Sequence, residues 1–468
     1  MSYIPGIITG TLPIPFPGPH TVGYATLRHT PSHPYTLPAP RLPSTSKDDD
    51  GKGGSALGVR QVEYSIYYPC EKPDKGWFWQ RDKQGTSISW LPRPIEFVLE
   101  GWRRFANDHP LMRAAAPILK FTGGRLGAPL YPLAPLASLA DSDKSKLVIF
   151  SHGLAGTKNA YSAVCSALAS EGNVVLAIAH ADGSGPGVIL YPNEVVGEEE
   201  VRLGYLKFQE LDWSPGKTPD VMRLRSMQLD IRVSEVYEAY TSFSTLIQSG
   251  PQDLPSFHLY TDDGPPPVPA HKSKSEVDPK MVWLDSWRNR VDVNDLTLVG
   301  HSFGGGTLLH LLSTGPPEGF GRLPVRKAVA LDPWVDPLPM PGPSKEMQEA
   351  PPRVPLLAIN SEGFTLWRTH FNRLSGLIRK NGGSLVSIIG CDHQTFSDFP
   401  LLVTAPSATK LITKINSMTN SFMHDDLANN VEIKGKEPDK GDYKTKKDAK
   451  GRTKLEGEWG DVVVHELS

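Results

Sequence analysis

Five short apolar runs recur along the chain, and each ends on a glycine, a polar residue or a turn. They are KLVIFSHG (146–153), NVVLAIAHAD (173–182), DLTLVGHS (295–302), RKAVALDPW (326–334) and VPLLAINSE (354–362). Runs that are apolar on both faces are what a parallel sheet requires. VRQVEYSIYYP (59–69) alternates β-branched or aromatic residues with polar ones and reads as a further strand. Helical patterns separate these runs: 159–172, 223–250, 304–315 and 366–382, with Gly172, Gly250, Gly315 and Gly382 placed as C-caps. Strand and helix in alternation predict an α/β fold, with a mostly parallel central sheet and helices on both faces.

Three segments break the pattern. Residues 1–58 are rich in Pro, Gly and Ser and are expected to form an arm lying on or near the domain. Residues 251–280 are proline-rich and polar and read as an insertion loop. Residues 425–468 mix Lys, Glu, Asp and Gly with few large apolar groups, a composition that favours a disordered tail. The remainder, 59–424, is expected to be one domain.

Composition narrows the function. Among 468 residues, 49 Lys+Arg face 51 Asp+Glu, a formal net charge of −2, so nothing supports nucleic-acid binding. Cys70, Cys165 and Cys391 lie far apart, which excludes a disulfide scaffold and a thiolate zinc site of standard spacing. The N-terminus has no basic n-region and no unbroken apolar stretch, Ser2 stands where N-myristoylation requires Gly, and no run is long enough to span a membrane. A cytoplasmic protein is expected.

Residues 300–304 read Gly-His-Ser-Phe-Gly between an apolar run and a helical pattern. Strand, sharp turn and helix are the context in which G-x-S-x-G presents a serine nucleophile, here Ser302. A serine hydroxyl needs a base, and the base an orienting acid. Of the downstream histidines, His310 and His370 fall in helical patterns and His424 borders the tail. His393 follows the apolar stretch LVSIIG, at a strand's C-terminal end, and is the expected base. Asp332 ends a strand and leads as the acid, with Glu362 next; Asp336 lies in a proline-rich turn, and Asp392 and Asp398 are too near His393 in sequence to orient it well. An oxyanion hole would pair the Phe303 N–H with one from the loop after 146–153, where Leu154 is the natural donor.

Together these motifs resemble the platelet-activating factor acetylhydrolase family, the plasma and type II intracellular group of serine-dependent phospholipases A2. GPHTVGYATL (18–27), YSIYYPCE (64–71), VIFSHGLAGTKNAYS (148–162), AHADGSG (179–185), VGHSFGGGT (299–307), ALDPW (330–334) and CDHQTFSDF (391–399) carry the resemblance. It implies an α/β-hydrolase fold, with Ser302 as nucleophile, Asp332 as acid, His393 as base, and Leu154 and Phe303 as oxyanion donors. Ala181 stands where the family usually has Arg, and Pro333 where it commonly has Ala.

The resemblance implies calcium-independent hydrolysis of a phospholipid with a short or oxidised sn-2 acyl chain, without metal or cofactor. A carboxylesterase or lipase acting on neutral esters, and a non-catalytic binding protein of the same fold, are the alternatives. GWFWQ (76–80) and WLPRPIEFVLEGWRRFA (90–106) offer transient membrane contact, the latter with Ile95, Val98, Leu99, Trp102 and Phe105 near helical spacing beside Arg103 and Arg104. A core-facing amphipathic helix explains the same spacing.

Overall fold

A computed structural model describes residues 6–43, 54–72, 88–139, 144–191, 200–213, 218, 220–254, 257–260, 279–339, 354–403, 406–427 and 443–465. The GWFWQ segment lies outside the described residues.

Among the described residues, eleven strands form one sheet. In chain order they are β1 (Thr21–His29), β2 (Val62–Cys70), β3 (Tyr131–Pro132), β4 (Ser145–Ser151), β5 (Val174–Ile178), β6 (Phe257–Tyr260), β7 (Val291–His301), β8 (Val325–Leu331), β9 (Leu356–Ser361), β10 (Ser384–Ile388) and β11 (Val462–His465). The spatial order is β6-β1-β2-β5-β4-β7-β8-β9-β10-β11, with β3 added on β1. The six strands from β5 to β10 run parallel, and the flanking pairs on both sides are antiparallel. Alternation along each strand feeds two apolar layers. Leu147, Ile149 and Leu298 face one layer, while Val148, Phe150 and Val299 face the other. Burial on both faces explains the unbroken apolar runs.

The helices that matter for the site are α1 (Ile95–Phe105), α2 (Pro110–Gly123), α3 (Ser162–Ser170), α4 (Val221–Gln248), α5 (Phe303–Ser313), α6 (Arg368–Lys380), α7 (Phe399–Val403) and α8 (Pro406–Met423). Asp220 caps α4, its side chain accepting the Met222 N–H at 2.9 Å. Gly172, Gly250 and Gly382 take positive φ after their helices, as the pattern predicts. Gly315 does not, because α5 ends at Ser313 and the chain turns extended at Thr314. The 366–382 pattern is broken at Trp367 into a short helix, Glu362–Leu366, and α6.

All three segments set apart from the sheet contribute to it. The N-terminal arm supplies β1, buried along almost its whole length between β2 and β6. Its TVGYATLRH carries the alternation of a strand, masked by the prolines around it. The expected insertion loop supplies β6, with 261–278 outside the described residues. The expected disordered tail supplies β11 and a two-stranded hairpin (Thr445–Lys447 with Thr453–Leu455), while 428–442 lies outside the described residues. VVVH buries its apolar side against β10, which offsets the ordering cost that the charged residues alone could not.

Candidate active site

The elbow after β7 is as tight as its glycines imply. Ser302 sits at φ 55°, ψ −115°, and its carbonyl accepts the Gly306 and Trp334 N–H groups. A Cβ on Gly300 would lie 2.4 Å from the Gly304 carbonyl oxygen, and one on Gly304 would lie 2.0 Å from that of Ser151. Any larger residue at either position would push the nucleophile out of place. Ser302 therefore stands at the N-terminus of α5, in the helix dipole's positive field.

Asp332 follows β8 and His393 follows β10, so three strand ends bring the candidates together. His393 Nε2 is 3.0 Å from Ser302 Oγ, and its Nδ1 is 2.6 Å from Asp332 Oδ2. Because a carboxylate only accepts, Nδ1 carries the hydrogen and Nε2 is left to accept from the serine. Asp332 is fully buried, and its other oxygen accepts the Ser361 N–H at 2.7 Å, which fixes the carboxylate's rotation. The His393 ring stacks on Phe364, with centroids 4.4 Å apart and 6° between planes, and is 30% exposed on its outer side.

The loop after β4 crosses directly beside the serine. A Cβ on Gly153 would lie 3.1 Å from Ser302 Cβ. Gly153 N–H donates to Tyr161 Oη, Ala155 N–H to the Ser184 carbonyl and Gly156 N–H to the Gly153 carbonyl. Leu154 N–H is then the group in this turn with no partner among the described residues. Phe303 N–H, at the first turn of α5, precedes the first intrahelical bond from Gly306. These are the two positions expected to supply oxyanion donors.

The other acids and histidines are accounted for elsewhere. Glu362, second candidate for the acid, accepts N–H groups from Gly390 at 3.1 Å and Leu455 at 2.6 Å, tying the C-terminal hairpin to the His393 loop. Asp398 accepts from Ser162 N–H and Oγ, Ala163 N–H and Trp90 Nε1, holding the start of α3; burial raises its carboxyl above the ordinary range. Asp392 and Thr395 form a reciprocal cap, and Asp336 accepts from Trp334 Nε1. His310 pairs with Asp230, and His370 accepts the Val335 N–H and stacks on Trp367. His424 lies just past the end of α8 and is exposed.

Further residues complete the site, and among them Tyr161, His301 and Glu235 were not singled out in the sequence. Tyr161 Oη bridges Gly153 N–H and His301 Nδ1 at 2.8 Å, and Trp102 Nε1 donates to the Ala155 carbonyl at 2.9 Å. Burial, with His393 beside it, pushes the His301 ring well below its ordinary value. Beneath the loop, Ser151 Oγ meets His180 Nε2 at 2.7 Å, and His180 Nδ1 meets Glu235 Oε2 at 2.5 Å. Burial drives the Glu235 carboxyl up and the His180 ring down, each toward its uncharged form. Burial also lowers His152, to about 3, with Arg232 adding to the shift. Ala181 takes part only through its N–H, which donates to Glu235 Oε1 at 2.7 Å. Pro333 covers Gly305, where an added Cβ would lie 2.7 Å from Pro333 Cβ.

His301, Asp332 and His393 present one donor atom each within 4.8 Å of one another, a spacing a metal ion can use. Asp332 and His393 already direct those atoms at each other and at Ser302. The geometry could serve as nucleophile, base and acid beside two backbone N–H groups, the set that acyl transfer requires.

The chain is similar to several named proteins. A protein named Platelet-activating factor acetylhydrolase from Bos taurus is 26% identical over 366 residues, covering 76% of this chain and 69% of its own. A Putative phospholipase A2 from Schizosaccharomyces pombe is 36% identical over 128 residues, 27% of this chain and 26% of its own. A solved ferulic acid esterase from Streptomyces cinnamoneus aligns with a TM-score of 0.45 at 15% identity, covering 89% of this chain and 92% of the esterase. The family model described as platelet-activating factor acetylhydrolase, isoform II, matches residues 17–434, and this chain belongs to that family of ester hydrolases.

Proposed function

We propose that the chain is a serine-dependent, calcium-independent hydrolase of the sn-2 acetyl or short-chain acyl ester of a phospholipid. The observation that carries this reading is the Ser302–His393–Asp332 hydrogen-bonded series at three strand ends. Ser302 Oγ attacks the ester carbonyl carbon as His393 Nε2 takes its proton, and Asp332 holds the imidazolium that results. The negative charge on the carbonyl oxygen is met by the Leu154 and Phe303 N–H groups. Collapse breaks the ester C–O bond, and His393 returns the proton to the departing lysophospholipid oxygen. Water, activated by the same histidine, then releases the acid from Ser302. Nucleophile, base and oxyanion donors all come from the chain, so a chelator is expected to leave the rate unchanged.

The names of the relatives support a phospholipid substrate over a neutral ester. The three cysteines are free and buried, which suits a reducing compartment such as the cytoplasm. No helix among the described residues is long and apolar enough to cross a membrane.

Membrane-surface contact belongs to the same proposal, and side-chain exposure favours a neighbouring helix for it. Ile95, Val98, Leu99 and Trp102 of the 90–106 stretch are buried, and of that stripe Phe105 alone stands out, 42% exposed. Two more exposed apolar side chains lie on the next helix, α2, where Ile118 is 59% and Phe121 70% exposed.

A fluorophosphonate probe tests the chemistry. Wild type is expected to be labelled, and Ser302→Ala is expected to lose both labelling and turnover. Turnover of a 1-alkyl-2-acetylglycerophosphocholine beside a triglyceride and a simple ester tests the substrate. Faster turnover of the neutral esters would make the chain a general esterase, and an unlabelled, folded wild type would make it a binding protein.

A further inference from the structure

One buried cation beneath the oxyanion loop takes no part in the proton transfers above. Arg232, midway along α4, is fully buried. Its Nε donates to Asp182 Oδ2 at 2.8 Å, its Nη1 to the His152 carbonyl at 2.7 Å and its Nη2 to Ser184 Oγ at 2.6 Å. The guanidinium carbon also lies 4.6 Å from the centroid of the Phe303 ring. Ser184 donates its hydroxyl hydrogen to Asp182 Oδ1 at 2.5 Å, and its carbonyl accepts the Ala155 N–H at 2.8 Å.

The three contacts converge on the two proposed oxyanion donors. The peptide of His152 lies two residues before Leu154, and the Ser184 carbonyl holds the residue after it. The Phe303 ring belongs to the residue that carries the second donor. One guanidinium therefore fixes the loop on both sides of Leu154 and steadies Phe303 as well. Burying a charge is expensive, and an apolar residue would fill this space at lower cost. Only the planar fork of an arginine reaches a carbonyl, a hydroxyl and a carboxylate at fixed mutual angles, which a lysine ammonium cannot do. Asp182 cancels the charge, so what remains at the site is the geometry.

We propose that Arg232 is a positioning residue of the oxyanion hole, acting through the His152 carbonyl, Ser184 and the Phe303 ring to aim the Leu154 and Phe303 N–H groups. This rests on the acyl-transfer reading above. Donors set by such a scaffold matter only once charge develops on the carbonyl oxygen. Loss of Arg232 should therefore lower kcat and leave KM nearly unchanged.

The test uses the full chain with a water-soluble short-chain acyl ester and a trifluoromethyl ketone, whose adduct with serine places an oxyanion in the hole. Arg232→Lys keeps the charge and a partner for Asp182 while removing the fork. Its kcat should fall about 10–100-fold, with KM within about twofold and ketone affinity weakened by a similar factor. Ser184→Ala keeps the Arg232–Asp182 ion pair and the backbone bond to Ala155 but removes the hydroxyl link. It should lose about 3–10-fold in kcat with the same pattern. Should Arg232→Lys fail to fold, Ser184→Ala decides. A folded variant with unaltered kcat and ketone affinity, or one whose loss is confined to KM or to thermal stability, overturns the proposal. A folded wild type that neither turns over esters nor takes a fluorophosphonate overturns the acyl-transfer reading itself, and the assignment of Arg232 with it.

Discussion

Gly153 shows how little room the chemistry leaves at the scale of one side chain. A methyl group there would lie 2.9 Å from Tyr161 Oη, 3.1 Å from Ser302 Cβ and 3.3 Å from His301 Nδ1. None of the three can retreat without moving the nucleophile or the hydrogen bond that holds the loop. Gly153→Ala is expected to cut kcat about 10²-fold, comparable to losing one oxyanion donor. Its thermal midpoint should change by only a few degrees, because the strain is confined to the loop; steady-state kinetics and thermal unfolding check both. Asp332→Asn should cost about 10³–10⁴ in kcat, since an amide in place of the carboxylate offers N–H to His393 Nδ1 and selects the wrong tautomer. The amide oxygen can still accept the Ser361 N–H, so folding should persist. Ser302, Asp332 and His393 could be singled out in the sequence because each follows an apolar strand, Ser302 and Asp332 directly and His393 after a short loop. Arg232 and Glu235 were not. They lie inside RLRSMQLDIRVSEVYE, where charges at close intervals read as a solvated helix face, and only the tertiary placement of α4 buries them.

Among the elements, the parallel strands announce themselves because both faces are buried, whereas the antiparallel additions do not. β1 and β6 lie among prolines and β11 among glycines and acidic residues, and four residues such as VVVH are too few to show a period. Yet β11 braces the site: Glu362 joins its hairpin to Gly390, and Ile389 exchanges backbone bonds with Gly460 and Asp461. His465 on this strand packs against Phe371 and Tyr443, and its Nε2 meets Ser387 Oγ at 2.7 Å. Burial lowers its ring to about 4, against 6.5 for the unfolded chain. The folded state resists a proton that the unfolded state accepts, so the stability this residue contributes is complete above pH 6.5. It is lost as pH falls from 6.5 to 4, at about 1.4 kcal/mol per pH unit and about 3 kcal/mol in all. His465→Phe should flatten the decline of urea-unfolding stability between pH 6.5 and 4.5 by about that slope. Identical slopes for the two proteins would remove His465 from the account; the other buried histidines supply the decline that remains.

At the scale of the whole molecule, the length beyond the parallel core serves the edges of the sheet and one outer surface. The short helix Gly6–Thr9 packs against both α2 and α7, and α7 follows directly from the His393 loop. Ile8, Ile118, Phe121 and Val403 are exposed on these three elements. Arg125 lies over the Phe121 ring at 5.2 Å, and Arg113 and Lys120 stand on the same helix. Large apolar side chains rimmed by cations, beside the loop that carries the base, suit shallow insertion among lipid headgroups. Inserting one such side chain contributes about 1.5 kcal/mol or more, so losing both Ile118 and Phe121 should weaken partition at least tenfold for each. The measurement is sedimentation with phosphatidylcholine vesicles for Ile118→Asp/Phe121→Asp, beside turnover of a phospholipid in those vesicles and of a water-soluble ester. Partition and vesicle turnover should fall together while soluble turnover holds, because both positions point away from the core. Undiminished partition would take this surface out of the mechanism. A parallel fall in soluble turnover would mean that the substitutions reach Ser302 through Trp102, whose indole braces the oxyanion loop at Ala155.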